Sequence, residues 1–209
     1  MVKSCLLFTD IKSSSLLWKT HGNKMNTALK KHNDQINKLC KKYKGFIVKM
    51  IGDAFMISFK NVNSGVNFAY DMCIMQKKDP VVVSGSDTIK IRMGLCYGDI
   101  TIKKIKIQNK QLIDYFGAPV NMASKMESKV SDPEGFAISL YGEKRINKEL
   151  ISILEKCPKL KYSLNLYTYT KCNEIKRSER LLSTIQIKCY DAEILKGVGE
   201  VLAYKCDIK

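Results

Sequence analysis

Two short apolar runs, Phe46-Ile47-Val48-Lys49-Met50-Ile51 and Ala54-Phe55-Met56-Ile57-Ser58-Phe59, meet at Gly52-Asp53. A two-residue Gly/Asp step between strand-like segments is a strong local hairpin signal, because those residues accept the backbone angles a tight turn requires. Upstream, from about Leu16 to Tyr43, Leu17, Met25, Ala28, Leu29, Ile36, Leu39 and Cys40 recur at helical spacing, interrupted near His21-Gly22-Asn23 and ended by Gly45. Residues 2 to 9 read as a buried strand entering the polar loop Thr9-Asp10-Ile11-Lys12-Ser13-Ser14-Ser15. Strand, helix and hairpin in this order predict a split β-α-β arrangement.

Further along, a helix fits Val62 to Lys78, closed by Pro80 and a Ser84-Gly85-Ser86 loop. Ile89 to Leu95 alternates as a strand, with Tyr97-Gly98-Asp99 as its turn and another β segment from Ile100 to Ile107. Leu112 to Phe116 leads through Gly117-Ala118-Pro119 into a helix with Val120, Ala123 and Met126 on one face. Pro133-Glu134-Gly135 precedes a strand, Phe136 to Ser139, and then a helix from about Gly142 to Leu154. Beyond Pro158 the pattern is weak until Ile185 to Leu195, a Gly197-Val198-Gly199 turn and Val201 to Cys206, which read as a terminal hairpin. The expectation is an α+β fold: a ferredoxin-like split β-α-β core, a mainly antiparallel sheet, and helices on one face. The 209 residues suit a single domain, with 143–184 as an elaboration that either regulates or pads it.

Composition narrows the function classes. Lysine and arginine number 36 against 20 acidic residues, for a formal charge of +16, which attracts nucleic acid, anionic membrane or a polyphosphate alike. The arginines are few (Arg92, Arg145, Arg177, Arg180) and the lysines scattered, unlike the clustered arginine of nucleic-acid surfaces, so no nucleic-acid partner is expected. Eight cysteines contain no Cys-x-x-Cys and only His21 and His32 accompany them, which argues against zinc or redox chemistry and for reduced thiols in the cytoplasm. No apolar run is long enough to span a membrane, and Asp10 interrupts the N-terminal run before a signal-peptide core could form.

Two carboxylates stand out: Asp10 at the end of the first strand and Asp53 at the hairpin tip. Paired strands of a small sheet can bring both to one edge, where hard cations take carboxylate oxygens together with phosphate and water. Each alone is equally an ordinary turn aspartate. The amides and hydroxyls of Ser13, Ser14 and Ser15 open the following helix, whose N-terminus favours a polyphosphate.

These residues lie within five segments that resemble the class III nucleotidyl cyclases, the adenylyl and guanylyl cyclase catalytic domain. The segments are Leu6 to Ser15, Val48 to Met56, Arg92-Met93-Gly94-Leu95-Cys96-Tyr97-Gly98, Asp114 to Glu127 with Asn121-Met122-Ala123-Ser124-Lys125 at its heart, and Leu195-Lys196-Gly197-Val198-Gly199-Glu200. They occur in family order and cover nearly the whole chain. The resemblance implies two Mg2+ or Mn2+ ions held at Asp10, Ile11 and Asp53, one activating the ribose 3′-hydroxyl and one stabilising the departing pyrophosphate. It implies that Lys49 and Asp114 select the purine. Lysine donates to adenine N1 and aspartate accepts from the N6 amine, whereas guanine presents the opposite pattern and guanylyl cyclases carry Glu and Cys-like residues there. ATP is the expected substrate.

By the same resemblance Asn121 orients the ribose, the position of Lys125 stabilises the pentavalent phosphorus, and Lys196 contacts the terminal phosphates. Asn121 conforms to the family pattern; Lys125 stands where it has arginine, exchanging a planar fork for a mobile point charge. The family places metal ligands and purine pocket on opposite chains of each site, so a homodimer with two equivalent sites is expected. A guanylyl cyclase, a noncatalytic cyclase-like nucleotide-binding module and an RNA-binding α+β domain are the competing readings.

Overall fold

The structure, a computed structural model, describes residues 1–143, 147–168, 187–191, 195 and 201–208. Strand β1 (Val2–Ile11) carries the unbroken run Cys5-Leu6-Leu7-Phe8, the pattern of a strand covered on both faces. Cys5 and Leu7 enter one core while Leu6 enters the other, with Phe8 packed against it. Helices α1 (Ser14–His21) and α2 (Asn23–Tyr43) follow, separated by Gly22 at φ +49°, a conformation that disfavours a side chain. β2 (Phe46–Ile51) and β3 (Ala54–Phe59) form the expected hairpin. The next helix, α3 (Val62–Lys78), is capped by Asn61, whose side chain accepts from the Ser64 amide at 2.9 Å.

Two short strands, β4 (Val82–Ser84) and β5 (Asp87–Thr88), pair with each other, so the expected Ser84-Gly85-Ser86 loop is the tip of a small hairpin. β6 (Ile91–Ile107) lies antiparallel to β1 on the side opposite β3, giving the order β6-β1-β3-β2. This is the split β-α-β core read from the sequence. The expected turn at Tyr97-Gly98-Asp99 is absent, because β6 runs through it as one strand of 17 residues. Gly98 serves packing instead: a Cβ there would lie 2.7 Å from Pro119 Cγ and 2.9 Å from Tyr141 Cβ. The distal half of β6 pairs with β7 (Lys110–Phe116) to form a two-stranded arm.

Helices occupy both faces of the sheet, which corrects the one-face expectation. Residues of α2, α3 and α5 (Lys148–Glu155) fill one core; α4 (Ala118–Lys125) and the π-helical turn Met126–Val130 fill the other. α5 starts after Asn147, whose side chain accepts from the Leu150 amide at 2.8 Å, rather than at Gly142, which sits in a turn at φ +78°. β8 (Gly135–Leu140) runs parallel to β6. β9 (Leu160–Thr168), β10 (Ile187–Asp191) and β11 (Val201–Ile208) complete the sheet. The described strands do not pair as the expected terminal hairpin, whose Gly197-Val198-Gly199 turn lies outside the described residues: β11 lies between β8 and β9, and β10 pairs in parallel with the far edge of β9. The reason is coverage. Leu202, Tyr204 and Cys206 of β11 enter one core and Val201 and Ala203 the other, so this strand belongs inside the sheet.

His32, on α2, is 1% exposed and edge-on to Phe55 at 6.1 Å, with neither ring nitrogen hydrogen-bonded among the described residues. Burial pushes its pKa down to about 4 from 6.5. The unfolded chain therefore binds a proton the folded chain refuses, and stability falls as pH drops from about 6.5 to about 4, by about 3 kcal/mol. Thermal melts across that range should show the loss in the native protein and less of it in His32→Met. Identical pH dependence in both would contradict this assignment.

Candidate active site

The last paired residues of β1 and β3 are Thr9 and Phe55, and the Phe55 amide donates to Thr9 Oγ1 at 3.2 Å. Antiparallel register then carries Asp10 and Ile11 level with Ala54 and Asp53, so the end of β1 and the hairpin tip share one edge of the sheet. Asp53 Oδ2 is sealed from solvent with no hydrogen-bond donor among the described residues. An orphaned buried carboxylate oxygen is costly, and a hard cation is one group that satisfies it. Ile11 is 2% exposed and can offer a cation only its backbone carbonyl. No group of three or more His, Cys, Asp or Glu side chains suited to a metal occurs among the described residues. A divalent ion at Asp10, Ile11 and Asp53 would therefore complete its shell with water and nucleotide oxygens. The donor set, all oxygen, fits Mg2+ or Mn2+.

Sequence reasoning missed two further side chains at this edge. Arg92, directly opposite Asp10 in the β1–β6 pairing, donates from a terminal nitrogen to Asp10 Oδ2 at 2.7 Å. The same nitrogen lies 3.1 Å from Glu127 Oε1 as an ion pair; Glu127 Oε1 and Arg92 Nε have no hydrogen-bond partners among the described residues. Burial pushes the Glu127 carboxyl up to about 7, against the pull of Arg92 and with a push from Asp10. The available clue was compositional: Arg92 is one of four arginines among 36 basic residues, in a chain that otherwise uses lysine.

Lys49 and Asp114, 65 residues apart in sequence, come together across β2 and β7: Lys49 Nζ donates to Asp114 Oδ2 at 2.8 Å. An irregularity in the β2–β3 register between Ile47 and Lys49 sets the lysine opposite Met56. Asp114 is fixed from its other oxygen, which accepts from the Tyr115 amide at 2.8 Å, and Tyr115 stacks on Phe46 at 6.4 Å. Both partners are partly exposed, at 37% and 22%, so their polar atoms remain open to a ligand.

Asn121 and Lys125 lie one turn apart on α4. Asn121 is exposed, Lys125 half-buried, and neither has a side-chain partner among the described residues. Ser13 precedes α1 at φ +57°, and its carbonyl accepts from the Leu16 and Leu17 amides at 3.0 and 3.2 Å. Its hydroxyl caps nothing, and Ser14 and Ser15 form the first helical positions. Lys196 lies outside the described residues. Among the described residues no side-chain hydrogen bond or ion pair joins the Lys49–Asp114 pair, the Asn121–Lys125 pair and the Asp10–Asp53 edge within one chain. A cavity of about 500 Å³ sits elsewhere, lined by Lys3, Asn61, Tyr97, Tyr141 and Glu149 among others. Lys3 is seven strand residues from Asp10, ~23 Å away, which separates that cavity from the carboxylate edge.

The sequence profile described as the adenylate and guanylate cyclase catalytic domain matches residues 2–154. The chain belongs to this family. It is 28% identical over 169 residues to an adenylate cyclase of Podospora anserina, an alignment covering 73% of this chain and 7% of that protein. This cyclase chain thus spans a small part of the curated relatives it matches. Its fold matches the guanylate cyclase domain of RhGC from Catenaria anguillulae, solved with GTP, at a TM-score of 0.68 and 21% identity over 100% of this chain and 97% of that one. It also matches a Trypanosoma brucei adenylate cyclase solved in a monomeric state, at a TM-score of 0.62 and 20% identity over 98% and 88%. The two solved structures agree on the cyclase fold and differ in the purine of their names. Class III cyclases use divalent metal ions.

Proposed function

We propose that the chain is an adenylyl cyclase catalytic domain, single over 1–209, that converts ATP to 3′,5′-cyclic AMP and pyrophosphate as a cytoplasmic homodimer with two divalent ions per site. The observation that carries the reading is the Lys49–Asp114 hydrogen bond at 2.8 Å. It sets a donor beside an acceptor, both partly exposed, the complement of adenine N1 and its N6 amine. Guanine would leave both groups unpaired.

In the reaction the ribose O3′ attacks the α-phosphorus as the bond to pyrophosphate breaks. A divalent cation, when bound, lowers the pKa of the 3′-hydroxyl and offsets charge on the pyrophosphate. Asp10, the Ile11 carbonyl and Asp53 hold that charge at the sheet edge. The free amides at Ser13, Ser14 and Ser15 suit triphosphate oxygens, and Lys196 is assigned to the terminal phosphates. Asn121 fixes the ribose, and Lys125, four residues on, brings positive charge to the α-phosphoryl oxygens.

A homodimer is supported by an apolar surface on the elements that carry these residues. Phe46, Met50 and Ile51 of β2 and Ile102, Leu112, Ile113 and Phe116 of the β6–β7 arm are all exposed. Lys49 and Asp53 lie four residues apart on one hairpin, ~13 Å along a strand, so each hairpin can serve two sites. Free cysteines, all buried among the described residues, suit a reducing compartment. No helix among the described residues is long and apolar enough to cross a membrane.

Purified protein given Mn2+ and either ATP or GTP should form cyclic AMP in preference to cyclic GMP. Preference for GTP would favour the guanylyl reading, and absence of both products the noncatalytic one that Lys125 leaves open. Lys125→Arg should raise kcat about threefold to tenfold with little change in KM, because a bidentate fork binds two phosphoryl oxygens in the transition state. An unchanged or lower kcat would show lysine to be the adapted residue.

A further inference from the structure

Arg92 introduces a problem at the proposed cation site: its guanidinium sits 2.7 Å from Asp10 Oδ2, where it competes for the charge a divalent ion needs. Two features of the fold address it. The π-helical turn Met126–Val130 inserts an extra residue just where Glu127 must face the strand, and such turns recur at functional sites. Gly94, two residues beyond Arg92, lets that turn approach the sheet: a Cβ there would lie 2.0 Å from the Glu127 amide nitrogen and 2.3 Å from the Ala123 carbonyl oxygen. The result is a carboxylate on a residue 7% exposed, whose Oε1 faces Arg92 at 3.1 Å and has no hydrogen-bond partner among the described residues.

A purely structural salt bridge would be expected to pair its hydrogen bonds fully, since a buried carboxylate otherwise costs more than it returns. Here Glu127 Oε1 faces the guanidinium as an ion pair at 3.1 Å with no hydrogen bond to it among the described residues.

We propose that Glu127 is a positioning residue for the cation site: it neutralises Arg92 from behind, so that Arg92 can orient the Asp10 carboxylate without cancelling its charge toward a divalent ion. The inference rests on the cyclase reading, and on Asp10 as a ligand. Its sign is definite. Removing the Glu127 charge leaves Arg92 uncompensated beside Asp10 and weakens cation binding; removing both charges restores the balance.

Mn2+ binding to the full chain with a nonhydrolysable ATP analogue, read from the electron paramagnetic resonance of free Mn2+ at alkaline pH, tests this without turnover. Glu127→Gln should weaken Mn2+ binding about tenfold, and Arg92→Gln combined with Glu127→Gln should return it to within about threefold of the native value. Circular dichroism melts establish that each variant is folded at the assay temperature; Glu127→Asp, which keeps the charge, should bind nearer to native than Glu127→Gln and serves if the glutamine variant does not fold. Native-like binding by Glu127→Gln, or a double variant no better than the single, would overturn the proposal. Asp10→Asn is the control for the underlying reading: if it too binds Mn2+ normally, the cation site itself fails; if it alone loses binding, only the role of Glu127 does.

Discussion

Asp53→Asn is expected to cut cyclic-nucleotide formation by about a thousandfold while leaving the fold intact. The carboxylate supplies charge to the cation, and its loss removes on the order of 4 kcal/mol of transition-state stabilisation, a thousandfold in rate. Among the described residues Asp53 Oδ2 is buried without a partner, and the residue lies in a hairpin turn. Deleting that unsatisfied charge should leave the melting temperature unchanged or slightly raised. Asp10→Asn should be equally inactive but less stable, because Arg92 and Glu127 are built around it. Parallel assays of product and thermal melts separate the two effects. An Asp53→Asn protein retaining a tenth of native activity would remove that residue from the chemistry.

The second large effect concerns the base. Lys49→Glu combined with Asp114→Cys should shift the kcat/KM ratio from ATP toward GTP by about a hundredfold or more, since a site built to pair a polar edge rejects the edge that leaves it unpaired. The full discrimination of a buried site is not expected, because Lys49 and Asp114 are both partly exposed. Lys49→Glu alone should perform worse on both nucleotides than the pair. It sets two carboxylates where a 2.8 Å ion pair stood, and their repulsion disrupts the pocket before any base arrives. Product analysis with both nucleotides decides. An unaltered ratio in the double variant would place purine recognition elsewhere.

Where local chemistry governs structure, the sequence was readable. The β2–β3 hairpin follows from Gly52-Asp53, and α3 spans Val62–Lys78 as its sequence predicts. What escaped was decided by partners distant in sequence. Gly98 looks like a turn residue until Pro119 and Tyr141 are seen against it. β11 looks like half of a hairpin until β8 and β9 claim both its edges. Helices were expected on one face alone because Leu6 and Leu7, adjacent in an unpunctuated apolar run, give no sign that each faces a separate core. In the candidate site, the Lys49–Asp114 pair was legible through family resemblance, and the structure brings its two members together. Arg92 and Glu127 were not, because their meaning lies in a cross-strand pairing and a π-helical turn that no spacing rule marks.

The central claim is that one chain lends the cation edge with its adjoining serines, and another the purine-reading pair with Asn121 and Lys125. Mixing two inactive variants tests it most directly: Asp53→Asn, defective at the edge, with Lys49→Ala, defective at the purine pocket. Half of randomly assembled dimers would be mixed, each with one intact site of two, so activity should recover to about a quarter of the native value. Recovery on that scale is the predicted result. A mixture that exchanges subunits yet stays as inactive as its components would contradict the account.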